Sequence, residues 1–174
     1  MQKVTKYTIF HTKWGYFGLA GTEYGLCRTQ LPGSNPEKIK TLLLKNCSAA
    51  QPDKNFCKIL QQQIAAYFEG DYVKFNQDIP LNLDGLSSFS ISVLKACIKI
   101  ETGQTVTYGK LAKKAGRPNA SRAVGSVLAK NPMPLIIPCH RIIRRDGKMG
   151  GFSAPGGISV KKKMLELERQ VLNI

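Results

Sequence analysis

The apolar periodicity of the chain changes once, near residue 88, and that change limits the possible folds more than any other feature. Before it, "KYTIFHTKWGYFGLAGTEYGLCRTQL" (residues 6–31) carries short aromatic and β-branched runs broken at Gly15, Gly18, Gly21 and Gly25, the patterning of β-hairpins. "NFCKILQQQIAAYFEG" (55–70) is predicted as a helix, with Ile59, Ile64, Tyr67 and Phe68 apolar and Gly70 at its end. From Ser88 onward the spacing becomes helical: Phe89, Val93, Ala96 and Ile100 fall on one face.

"DIPLNLDGLSS" (78–88) reads as the connector between the two regimes. The expected organisation is an α/β (α+β) domain over 1–80, a link at 81–87 and a mostly helical domain over 88–174. Within the second domain, "GQTVTYG" leads into a helix with Thr107 as its N-cap and Gly116 as its stop, and "RPNASRAVGSVLAKN" gives another, capped by Asn119. Two short helices around a tight turn fit a helix-turn-helix. No internal repeat or low-complexity segment interrupts this order.

Charge divides along the same line. The chain carries a formal +15, and residues 105–174 hold 14 Lys/Arg against 3 Asp/Glu. Such a surface favours a polyanion, a nucleic acid or an anionic membrane. No apolar run approaches the roughly 18 residues of a membrane span, and "MQKVTKYTIFHTKWGYF" lacks a secretory pattern, so a cytoplasmic protein is expected. Five cysteines without a CxxC argue against a disulfide framework or a zinc site.

One cysteine stands apart. "NPMPLIIPCHRII" (131–143) sets Cys139 beside His140, one of only two histidines. Cys139 is either an ordinary buried thiol or a nucleophile, which needs a partner to take its proton. In the helix over 119–130, Ala120, Val124, Val127 and Leu128 form the core side, while Ser121, Gly125, Ser126 and Ala129, with Arg122 among them, face outward. So small a face allows close approach, either to another backbone or to a shallow groove. In "SVKKKMLELERQVL", Val160, Met164, Leu165, Leu167, Val171 and Leu172 set the apolar face, with Glu168 near its middle. A carboxylate there needs a buried donor or must reach a basic side chain at the surface.

"TVTYGKLAKKAG", "SRAVGSVLAKNP" and "PLIIPCHRII", in this order and spacing, resemble the O6-alkylguanine-DNA alkyltransferases, strongly over 88–174 and weakly over 1–80. The resemblance implies a ribonuclease H-like N-terminal domain and a helical C-terminal domain whose winged helix-turn-helix enters the DNA minor groove. It makes Cys139 the alkyl acceptor, His140 its base through a bridging water, and Glu168 the group that orients the imidazole. Tyr108 becomes the tyrosine that helps rotate the nucleotide and donates to guanine N3. Asn131 joins the recognition helix to the active-site loop, and Arg122 intercalates. Ser121, Ala123, Gly125 and Ser126 line the DNA face. Pro134, Leu128, Ile142, Phe152 and Ser153 form the substrate pocket, with the Cys139 and Ile142 carbonyls facing the exocyclic amine. Phe152 stands where tyrosine is frequent in the family, and Ala154-Pro155 lengthen the link after Ser153.

The function implied is repair of O6-alkylguanine in duplex DNA by one irreversible transfer to Cys139, by a monomer needing neither metal nor organic cofactor. A helix-turn-helix regulator, a non-catalytic lesion binder and a Cys-His hydrolase are the alternatives.

Overall fold

The computed structural model describes residues 5–45, 47, 49–75 and 79–173. Residues 1–4 and 174, at the ends of the two expected domains, and Asp78, which opens the expected connector, lie outside these. The chain divides into two compact units, Met1–Asn82 and Leu83–Ile174.

In the first unit, β1 (Thr5–Thr12), β2 (Gly15–Thr22) and β3 (Gly25–Gly33) run antiparallel through two-residue turns. β4 (Ala50–Pro52) joins β1 in parallel, giving the order β3-β2-β1-β4. The glycine after the first turn is obligatory: Gly15 has φ +118°, and a Cβ there would lie 2.6 Å from the Gly33 carbonyl oxygen. Helices cover both faces of β2. On one, α1 (Pro36–Leu43) sets Ile39 and Leu43 against Gly18, where a Cβ would come within 3.0 Å of the Leu43 side chain. On the other, α2 (Lys58–Glu69) stacks Phe68 on Phe17, with ring centroids 6.0 Å apart. Neighbouring residues of a strand point to opposite faces, so residues 17–21 are buried without alternation. Each fully buried Phe or Leu contributes roughly 2 kcal/mol.

The helix expected from residue 55 begins at Lys58. Gln61 Nε2 donates to the carbonyls of Lys54 (3.0 Å) and Phe56 (2.8 Å), holding the preceding residues in a turn. Ile59 consequently points to solvent, 74% exposed, and Leu60 takes the core position. Gly70, at φ +100°, ends the helix as its spacing predicts.

The second unit packs α3 (Ser88–Ile98), α4 (Tyr108–Lys114) and α5 (Ser121–Ala129) against one another and adds α6 (Gly157–Leu172). The buried side of α3 is Val93, Leu94 and Cys97; Phe89 and Ala96 are only half-buried, and Ile100 is buried beyond the helix end. Thr107 caps α4, its Oγ1 accepting from Lys110 N–H at 3.3 Å, and Gly116 at φ +80° follows the last turn. Asn119 does not cap α5. Ala120 occupies that position because its amide donates to the Arg117 carbonyl, winding 117–120 straight into the helix. β5 (Val106–Thr107) pairs in parallel with β6 (Ile142–Ile143). This short ladder ties the start of α4 to the segment that follows Cys139. No helix among the described residues is long and apolar enough to cross a membrane.

Candidate active site

The segment between α5 and Cys139 is wound round one side-chain amide. Asn131 Nδ2 donates to the Ile137 carbonyl at 2.9 Å and to Cys139 Sγ at 3.1 Å, while its Oδ1 accepts from Met133 N–H at 3.0 Å. The turn forces Leu135 to φ +78°, a left-handed conformation costing about 1–2 kcal/mol for a residue with a Cβ. Its side chain is 1% exposed, and that burial offsets the strain.

Cys139 opens a 3₁₀ turn, Cys139–Arg141, and is 7% exposed. Burial pushes its thiol up; the Asn131 donor and the nearby Lys161 charge pull the other way. Lys161 is itself fully buried and donates from Nζ to the Ile142 carbonyl at 2.5 Å. Loss of water draws its pKa down. The sequence reading did not single out this lysine, counting it only within the basic charge of residues 105–174. The signal was present: Lys161, Met164, Leu165 and Glu168 form a single buried stripe of α6.

His140 has no exposed surface, and its Nε2 lies 2.7 Å from Glu168 Oε1. Glu168 also accepts from Arg141 Nε (3.0 Å to Oε2) and Nη2 (2.8 Å to Oε1), and from Gly103 N–H at 3.1 Å. Arg141 in turn donates to the Ile100 carbonyl at 2.6 Å and to Thr102 Oγ1 at 3.1 Å. Burial opposes charge on Glu168, yet the His140 hydrogen bond and the Arg141 guanidinium hold its carboxyl well below the usual carboxylate range. Burial keeps His140 below its ordinary value, so the imidazole is neutral. With Nε2–H donating to an ionised Glu168, the unprotonated nitrogen is Nδ1, a buried atom without a hydrogen-bond partner among the described residues. The core-side glutamate is thus met by buried donors, of which Arg141 was not singled out from the sequence.

A cavity of about 370 Å³ opens onto Cys139, walled by Tyr108, Leu128, Phe152 and Ser153 and by the small residues Gly125, Ala129 and Gly151. Two glycines flank Tyr108, and the fit depends on one of them. A Cβ on Gly150 would fall 2.6 Å from Tyr108 Cε2, whereas one on Gly125 would make an ordinary 3.8 Å contact with Cε1. Burial raises the Tyr108 pKa, so the phenol keeps its proton. The longer link after Ser153 is taken up in a turn, with Gly157 N–H donating to the Ala154 carbonyl at 2.9 Å; Phe152 and Ser153 stay on the cavity. Two expected wall positions do not line it. Pro134 bridges Ile137. Ile142 is fully buried in the β5–β6 ladder, and its carbonyl receives Lys161. On α5, Arg122, Ala123 and Ser126 are exposed and Ser121 is half-buried.

A mixed α/β chain with a buried cysteine, a neutral histidine and an ion-paired glutamate beside an apolar cavity describes a cysteine-centred transferase or hydrolase. Comparison with known proteins narrows this. The family model described as 6-O-methylguanine DNA methyltransferase, DNA binding domain, matches residues 88–170. The methylated-DNA–protein-cysteine methyltransferase of Methanosarcina acetivorans is 36% identical, over 93% of this chain and 97% of its own. A crystal structure of the Mycobacterium tuberculosis O6-methylguanine methyltransferase superposes with a TM-score of 0.77 at 34% identity, covering 96% of this chain and 94% of that one. A structure of the Mycobacterium tuberculosis protein in complex with DNA gives 0.77 and 34%, covering 95% and 94%. The chain belongs to the methylated-DNA–protein-cysteine methyltransferase family.

Proposed function

We propose that the protein repairs O6-alkylguanine in DNA by transferring the alkyl group to Cys139, once per chain. The observation that carries this reading is the line of contacts Arg141–Glu168–His140 next to Cys139 at the floor of an apolar cavity. A water bridging Cys139 Sγ to His140 Nδ1 takes the thiol proton to the imidazole, and the charge that appears there is met by Glu168. The thiolate displaces guanine at the alkyl carbon: the S–C bond forms as the C–O6 bond breaks. Tyr108, still protonated, gives its proton to N3 of the departing base, and the proton held on His140 then returns to the tyrosinate through water, so in net one proton passes from the thiol to guanine. The resulting thioether is not hydrolysed, because a thiolate is a poor leaving group from an alkyl carbon.

The same reading takes residues 1–80 as a ribonuclease H-like domain and α4–turn–α5 as a helix-turn-helix, with the hairpin after β6 as its wing. The small outward side of α5, at Ser121, Ala123, Gly125 and Ser126, allows close approach in the minor groove, and Arg122 fills the stack left by the extruded nucleotide. All five cysteines are free thiols, which fits action in the cytoplasm, and one chain holds all the proposed machinery, as a monomer requires. The test is Cys139→Ser on an oligonucleotide carrying O6-methylguanine. The variant should bind with near-normal affinity and transfer nothing, because a hydroxyl is far less acidic than a thiol. Appreciable transfer by that variant would remove Cys139 as the nucleophile.

A further inference from the structure

Tyr108 is a wall of two cavities. One holds Cys139; the other, of about 500 Å³, runs between Thr107, Tyr108, Ser121 and Arg122 on one side and Arg144 and Arg145 on the other. We propose that this second cleft seats the phosphodiester of the nucleotide whose base enters the Cys139 cavity, with Arg145 as the positioning residue that grips it. The inference rests on the reading of this protein as acting on alkylated DNA.

The cleft presents donors and positive charge, which is the chemistry of a phosphate seat. Thr107 Oγ1 already accepts the α4 capping bond, so its hydroxyl hydrogen is left to donate. Of the three arginines, Arg144 is paired with Asp146 at 3.2 Å. Arg122 and Arg145 make no ion pair among the described residues. Arg145 is also held in place by its turn: Arg144 N–H donates to the Lys148 carbonyl at 2.9 Å, Gly147 N–H to the Arg144 carbonyl at 3.1 Å, and Ile143 bridges Met149. The next residue is Gly150, on which Tyr108 rests. The turn that carries Arg145 is therefore registered directly against the residue dividing the two cavities. A nucleotide with its base in one cavity places its own phosphate toward the other. This grip acts on the damaged strand alone, whereas Arg122 acts on the gap left in a duplex.

The two roles separate on three substrates: a duplex and a single strand carrying O6-methylguanine, and free O6-benzylguanine. Arg145→Ala should weaken transfer roughly tenfold on both oligonucleotides, through half-saturation rather than maximal rate. It should also lower the salt slope of binding by about one. Its effect on the free base should be at least several-fold smaller, and Arg145→Lys should recover much of the attraction. An undiminished rate on the oligonucleotides would overturn the proposal. So would a loss confined to the duplex, or an equal loss with the free base. If the unaltered protein transfers nothing from any of the three, the failure belongs to the proposed function instead.

Discussion

Glu168 is one carboxylate serving two partners, and that sets what its removal does. Glu168→Gln keeps the shape but leaves the Arg141 guanidinium buried without its counter-charge, which should cost about 3–5 kcal/mol in urea or thermal unfolding. Transfer should slow as well, because the His140 imidazolium formed in the reaction loses its support. The pH dependence of stability follows with a definite sign. His140 and Glu168 both lie below their ordinary values of 6.5 and 4.5 in the folded state, so the unfolded chain binds these protons more readily. Stability is full above about pH 6.5 and falls as the pH drops, through His140 first and then, below 4.5, through Glu168. Urea midpoints across pH 4–8 check this, and a midpoint that rises on acidification would contradict it. At Arg122, Ala should slow repair of duplex DNA by much more than transfer from O6-benzylguanine. Lys should rescue binding more than repair, since it keeps the charge but not the planar group that stacks. Equal losses on duplex and free base would mean that Arg122 supports the pocket.

At the scale of elements, the approach of the turn after β6 to α4 depends on one missing side chain. Gly150→Ala should push Tyr108 out of register and reduce transfer at least tenfold, whereas Gly125→Ala, with room for an ordinary contact, should change it by less than about threefold. Comparable losses in the two variants would show that the Tyr108 slot is not the constraint. The sequence read well where a single element carried the information. The hairpins, the cap at Thr107, the stop at Gly116 and the core-side position of Glu168 all follow from local spacing. It read poorly where tertiary contacts decide. Ile59 and Leu60 are adjacent in an amphipathic segment, and only the turn fixed by Gln61 settles which one is buried. Arg141 and Lys161 were not singled out because their compensating partners, Glu168 and the Ile142 carbonyl, are distant in sequence. Pro134 and Ile142 belong to the right loop, but a loop's motif does not say which of its residues face the cavity.

For the whole molecule, the basic second unit predicts salt-sensitive and weakly sequence-dependent DNA binding, since phosphate contacts dominate and α5 offers small residues where a base reader carries Asn or Gln. Titration across ionic strength should give a linear fall of log affinity with log salt; strong preference for one undamaged sequence would point to a regulator. The central claim, that this fold exists to move one alkyl group onto one sulfur, is tested most directly by weighing the intact protein after exposure to excess O6-methylguanine oligonucleotide. The account predicts that each chain gains the mass of a single methyl group, located on Cys139 by peptide mapping, and then stops reacting. Continued turnover by unmodified protein, or a methyl group on any other residue, would contradict it.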